Sequence, residues 1–286
     1  MTLNLLHINL SKCCHLVFSP KTRLVDQPHP KLELKINGTI IKRVPHTKFL
    51  GITIDEELSW DQHLTQTKRK LYHSISTLKN IRKHVPPEIH INLYHSLFES
   101  HLVYGISSLG GIASSKIDSI FTIQKKAVRI LFGDLEAYKA KFMTCARVRS
   151  LDDQILGEEF FRREHTKPLF KSQNILTIHN LYFFHCFMEV FKILKFHYPI
   201  SLYNLYTFSS RTCLTHKQLI PPHPNKHFIY KSSRIWNTVR SKLGIGDLSI
   251  SASTIKASLK NALHRNQHCH DEVFWLPSHD FDISKI

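Results

Sequence analysis

Apolar and polar positions alternate in short runs over roughly the first sixty residues, and beyond them the apolar spacing widens to three and four. Cys14-His15-Leu16-Val17-Phe18 is a brief apolar run stopped by Ser19-Pro20. Leu32, Leu34 and Ile36 alternate with Glu33 and Lys35, which predicts a strand with one face in a core. Asn37-Gly38 follows, the dipeptide best able to supply the paired positive φ angles of a type I′ turn, and Thr39-Ile40-Ile41 resumes the apolar pattern. A hairpin is therefore predicted here. After Pro45, Phe49-Leu50-Gly51-Ile52-Thr53-Ile54 reads as one further buried strand with a close-packed glycine, closed by Asp55.

From Trp60 the period becomes helical. Leu64, Leu71, Ile75 and Leu78 form one stripe, while Lys68, Arg69, Lys79, Arg82 and Lys83 fall largely off it, so a helix is predicted from about Asp61 to Lys83. Pro86-Pro87 ends it and opens a second helix, with Ile89, Leu93 and Leu97 directed inward, until Gly105, Gly110 and Gly111 break it. A third helix is predicted from Ser114 or Ser115 to Gly133, burying Ile117, Ile120, Phe121, Val128 and Leu131. Farther on, Leu176 to Leu194 is apolar and aromatic enough for a buried helix, between Pro168 and Pro199. Pro221-Pro222-His223-Pro224 reads as a loop. Shorter helices at Tyr230 to Val239 and Ser253 to His264 flank Gly244-Ile245-Gly246, and a mobile tail is expected from His268. No internal repeat is visible. This order predicts an α+β protein: a small β-hairpin and meander region over residues 1–57, a helical bundle over 58–133, and a mainly helical region over 134–286.

Composition sharpens the picture. The 286 residues carry 39 Lys and Arg against 22 Asp and Glu, a formal charge of +17 before any of the 21 histidines titrates. With 42% hydrophobic residues, 9 Gly and 12 Pro, the chain is neither collagen-like nor low-complexity. No run approaches the roughly 18 apolar residues needed to span a bilayer, and Met1 to His7 lacks the basic start and small-residue cleavage site of a signal peptide. The six cysteines contain no Cys-x-x-Cys pair, which points to a reducing compartment, nuclear or cytoplasmic. A basic protein of this kind is expected to bind a polyanion, because nucleic acid releases condensed counterions when its phosphates are neutralised. No membrane and no defined small molecule is expected as a partner.

Three groups of residues invite a test for chemistry. His264 and His268 lie one turn apart if helical and could hold zinc with Cys269 or His270, yet a closed site needs two more converging ligands, and an exposed polar tail accounts for them better. Asp152-Asp153 could hold magnesium, but Arg149-Ser150-Leu151 before them and Glu158-Glu159 after them read as the acidic first turn of a helix. Gly-x-Ser-x-Gly and the P-loop are absent, and Gly244-Ile245-Gly246 has no third glycine. No metal site and no cofactor are predicted.

Taken in order, several strings resemble the downstream half of a reverse transcriptase from a jockey-type non-LTR retrotransposon. They begin with Asn9-Leu10-Ser11-Lys12 and the run to Phe18-Ser19. The most specific string is Lys48-Phe49-Leu50-Gly51-Ile52-Thr53-Ile54-Asp55, continued by Leu58-Ser59-Trp60 and His63. Leu102-Val103-Tyr104-Gly105, Ile123-Gln124-Lys125-Lys126-Ala127-Val128-Arg129-Ile130, Thr166-Lys167-Pro168-Leu169-Phe170 and Arg234-Ile235-Trp236-Asn237 follow. The resemblance makes residues 1–57 a palm remnant, 58–133 a thumb-like domain and 134–286 the family's C-terminal region. It implies that Lys12 lies near the phosphates of an incoming nucleotide, as a general acid for pyrophosphate, and that Phe49, Leu50 and Gly51 form a primer grip. Lys68, Arg69, Arg82, Lys83, Lys125, Lys126 and Arg129 then become candidate contacts to a template–primer duplex, RNA or DNA.

One departure matters. The family's catalytic signature, an aromatic, any residue and two aspartates, would precede Asn9, and the sequence starts at Met1; Asp152-Asp153 lies downstream of the primer-grip match and lacks the aromatic. Magnesium would belong only to an intact parent polymerase. The expectation is a truncated element product, inactive as a polymerase and retaining at most nucleic-acid binding. The alternatives are an inert transposon relic and a host-adopted basic nucleic-acid-binding or interaction module.

Overall fold

A computed structural model describes residues 8–18, 33–109, 114–133, 166–209, 219–221, 228–243 and 248–265, and these form an α+β protein. Asp152-Asp153, Gly244-Ile245-Gly246 and the tail from His268 lie outside the described residues. The chain divides into two units, Met1–Arg69 and Lys70–Ile286.

The first unit is built from short pairs of strands. β1 (Cys14–His15) runs parallel to β4 (Lys42–Arg43). The hairpin expected around Asn37-Gly38 is present: β2 (Lys35–Ile36) pairs antiparallel with β3 (Thr39–Ile40), and Asn37 and Gly38 take φ values of 47° and 78°. Its apolar face is not in a core, however. Leu34, Ile36 and Ile40 are 42%, 37% and 59% exposed, and Ile41 is the buried residue. With only two strands, side chains on either face depend on another element to cover them, which an alternating pattern does not reveal.

The single strand expected from Phe49 to Ile54 is a hairpin. β5 (His46–Phe49) pairs antiparallel with β6 (Ile52–Asp55), Phe49 opposite Ile52, and the chain reverses at Leu50-Gly51, with φ of 46° and 84°. A leucine in the left-handed region carries a steric cost, so the pattern hides the turn behind a residue that seldom makes one.

The second unit is helical, and α1 (Asp61–Ile81) crosses the division between the two. Leu64, Leu71, Ile75 and Leu78 are buried along it, as its spacing predicts. α2 starts at Pro87 and is continuous through three segments, Pro87–Leu93, a wider-wound π segment Tyr94–Glu99, and Ser100–Val103. Its buried face is His90, Tyr94, Phe98 and Leu102. The expected stripe of Ile89, Leu93 and Leu97 is displaced by one residue: Ile89 is 41% exposed, and the two leucines are half-buried. Both series step by four, a spacing that drifts around an α-helix but is held on one face when a π segment unwinds it.

α3 (Ser114–Phe132) buries Ile117, Ile120, Phe121, Val128 and Leu131 as expected, and ends at Gly133. After the short α4 (Lys167–Ser172) comes α5 (Ile178–Phe196), thirteen of whose residues are buried. A helix apolar all round must lie inside, and α5 is packed by α3, by α7 (Phe228–Leu243), by α8 (Ala252–Arg265) and by a tight turn at Ile106–Leu109. The Phe187 and Trp236 rings stack 4.9 Å apart across the α5–α7 seam. Between these helices lie α6 (Ile200–Tyr203) and a strand pair, β7 (Thr207–Phe208) with β8 (Leu219–Ile220).

Candidate nucleic-acid interface

The Phe49-Leu50-Gly51 turn carries the two most exposed large hydrophobic residues among the first unit's described residues: Phe49 is 63% and Leu50 76% accessible. What holds it is the remainder of the same sequence string. The Asp55 carboxylate accepts three backbone N–H groups, from Glu57 at 3.1 Å, Ser59 at 2.8 Å and Trp60 at 3.1 Å, and the Ser59 hydroxyl at 2.9 Å. Those bonds fix a loop in which Leu58 and Trp60 are both left-handed, φ 53° and 64°. His63, on the first turn of α1, accepts the Thr53 N–H at 3.5 Å, and the Thr53 hydroxyl donates to Gln66 at 3.0 Å. The string is thus a joint between hairpin and helix, and its aspartate is a loop anchor with both oxygens engaged.

The candidate cations fall into different settings. Lys12 is exposed on a one-turn 3-10 helix, Leu10–Lys12, whose first residues are capped by Asn9. Lys68 is half-buried and Arg69 exposed in the part of α1 that belongs to the first unit. Arg82, in the second unit, is engaged within the fold. Its guanidinium donates to the Ile130 carbonyl and, at 3.0 Å, to the Gly133 carbonyl, closing the C-terminal end of α3. Lys83 is exposed.

On α3 the two adjacent lysines diverge. The Lys126 ammonium sits 5.7 Å from the centroid of Tyr72, an exposed residue of α1, while Lys125 lies 4.7 Å over Phe121, whose ring meets Phe170 and His179. Arg129 is half-buried. Lys79, exposed on α1 between Tyr72 and Lys83 in the sequence, is absent from the contact set that the sequence suggests. Its spacing, seven residues after Tyr72 and four before Lys83, is the signal that could have found it.

Residues of three further family-like strings join elements of the fold. Gln124 has no exposed surface; its amide donates to the Tyr94 hydroxyl at 2.9 Å and the Leu176 carbonyl at 2.8 Å, and its oxygen accepts the Ile178 N–H at 2.8 Å. Asn237 clamps β8 by bonding both the N–H and the carbonyl of Leu219, at 2.9 and 2.8 Å. Phe170 is fully buried against Phe121.

Among the described residues no group of three or more His, Cys, Asp or Glu is placed to hold a metal ion, and no helix is long and apolar enough to cross a membrane. Both Asp55 oxygens are engaged in holding the loop that follows β6.

Comparison with known proteins gives two informative matches and two blanks. No family model matches the chain, and no solved structure does. Over 129 residues, 44% of the chain, it is 26% identical to the RNA-directed DNA polymerase from mobile element jockey of Drosophila melanogaster. Over 167 residues, 56% of the chain, it is 23% identical to the protein of the same name from Drosophila funebris. The matched segments make up 13% and 18% of those relatives, so the chain covers less than a fifth of the length of either. Over that part it is related to the reverse transcriptases of jockey-type retrotransposons.

Proposed function

We propose that this chain supplies nucleic-acid binding, the holding of a template–primer duplex, and not the carboxylate chemistry of nucleotide transfer. The observation that carries the reading is the exposed face formed by Tyr72, Lys79 and Lys83 with Lys126 leaning over the tyrosine. The sequence has no acid from Gln62 to Pro87 and none from Ser119 to Gly133, so nothing on these segments opposes an approaching phosphate backbone. Several of the strings that resemble the polymerase family hold residues that join elements, Asp55, Gln124 and Asn237 among them, which is what a binding scaffold needs to hold its cations in register. The 286 residues contain no aromatic-x-Asp-Asp string, and the reading routes no step through a metal ion.

Binding should be independent of base sequence. If Lys79, Lys83, Lys126 and one further cation each neutralise a phosphate, the logarithm of affinity for a DNA duplex falls against the logarithm of salt with a slope near −3.6, from roughly −0.9 per contact. The test compares Lys83→Glu with Lys126→Glu against Lys256→Glu with Lys260→Glu on the exposed side of α8, over a salt series. A larger loss and a shallower slope for the first pair is the expected result. Equal losses reject this surface, and primer extension by the purified chain that Asp152→Asn abolishes rejects the non-catalytic part of the reading.

A further inference from the structure

The positive charge is not spread evenly. Between Glu189 and Asp247 lie 57 residues without a single carboxylate, carrying nine Lys and Arg. Within that stretch the structure places an apolar and aromatic surface in water. α5 ends at Phe196, the chain turns through His197 with φ 52°, and Phe196, Tyr198 and Ile200 are 63%, 75% and 60% exposed. The turn is well held. The His197 ring rests 4.4 Å from that of Tyr203, and the Lys195 ammonium bonds the Ile250 carbonyl at 2.6 Å. Exposed Lys192 lies one turn back along α5 from Phe196.

Large exposed rings on a held turn mark a contact surface, since hydrating them is costly. Charge decides what kind. A second copy of the chain would set positive against positive. A duplex satisfies the cations but hides the faces of its bases. Unpaired nucleotides satisfy both at once, offering phosphates to Lys192 and flat base faces to the rings. We infer that the α5–α6 corner is a stacking platform for single-stranded nucleic acid, centred on Tyr198 and Phe196 and distinct from the duplex-binding face proposed above.

The full chain is titrated with a fluorescein-labelled 15-nucleotide oligouridylate and with a duplex of equal phosphate count. Tyr198→Ala and Phe196→Ala remove exposed side chains, so the fold survives, which circular dichroism checks. Each should weaken oligouridylate binding by about 5- to 150-fold, the range for loss of one base stack, and leave duplex affinity within about twofold. Tyr198→Phe should bind as the parent does. Equal weakening on both probes, or none on either, overturns the platform. So does a loss of binding to vesicles of phosphatidylserine and phosphatidylcholine without a loss on oligouridylate, or a change in sedimentation that assigns the corner to self-association. The duplex surface fails separately, through the Lys83 and Lys126 variants, so either reading can fall alone.

Discussion

Gln124 shows how much one residue can decide. In the string Ile123-Gln124-Lys125-Lys126 it reads as another polar position on a basic helix, yet it is fully buried and joins Tyr94, Leu176 and Ile178 by three hydrogen bonds. Replacing it with leucine would leave a phenol, a carbonyl and an N–H without partners in the core. At roughly 1–3 kcal/mol for each stranded group, partly relieved by relaxation, Gln124→Leu should cost about 2–5 kcal/mol in urea unfolding, against little for Gln62→Leu on the exposed first turn of α1. His185 offers a second test. Burial holds its pKa below the ordinary imidazole value, with Lys256 and Lys192 adding to the effect and Glu99 opposing it. The unfolded chain therefore binds that proton first, and stability present above the ordinary value is lost as pH falls toward the folded one. Glu189 works in the other direction: burial raises its carboxyl, against the Ser107 hydroxyl that bonds it at 2.8 Å, so protonating it favours the fold. The melting temperature of His185→Gln should fall less than the parent's between pH 7 and 5, and a parallel decline would show that this imidazole does not contribute.

At the scale of elements, the legible parts are those where local chemistry and burial agree. Asn37-Gly38 places a turn correctly because those residues adopt positive φ with little strain, and α5 is visible because no polar face interrupts it. The hairpin at Leu50-Gly51 is not legible from pattern, since its turn is made by an exposed apolar residue in a strained conformation, held by the pairing of β5 with β6 and by the Asp55 loop beyond it. The register of α2 escapes the pattern for a different reason. Two series at four-residue steps compete in its sequence; the π segment keeps a four-residue step on one face, and the aromatic series is the one the fold buries, a choice nothing local announces. Phe98→Ala should therefore cost about 3–5 kcal/mol, while Leu93→Ala, half-buried, should cost well under that. The reverse order, read by thermal or denaturant melting, would restore the stripe that the spacing alone implies. Of the candidate contacts, sequence locates the helices but does not separate Arg82, which closes α3, from Lys83 beside it in the chain, because both read simply as cations off the stripe.

Across the whole molecule, charge and cohesion are distributed in opposite ways. Cations appear in every part of the chain, whereas the largest fully buried side chains among the described residues, Trp236, Tyr94, Phe98, Phe183, Phe187 and Phe191 among them, all belong to the second unit. Strand pairing within the first unit never exceeds two strands among the described residues. Pairs that narrow are marginal by themselves, and their backbone groups can meet water without the rest of the fold coming apart. In deuterated buffer, then, the amide hydrogens of Ile36 and Thr39 should be replaced through small local openings, orders of magnitude sooner than those of Phe183, Phe187 and Phe191, which open only with the second unit as a whole. A protease should follow the same gradient, nicking the hairpin arms early and leaving α5 with the helices packed on it as the fragment that survives.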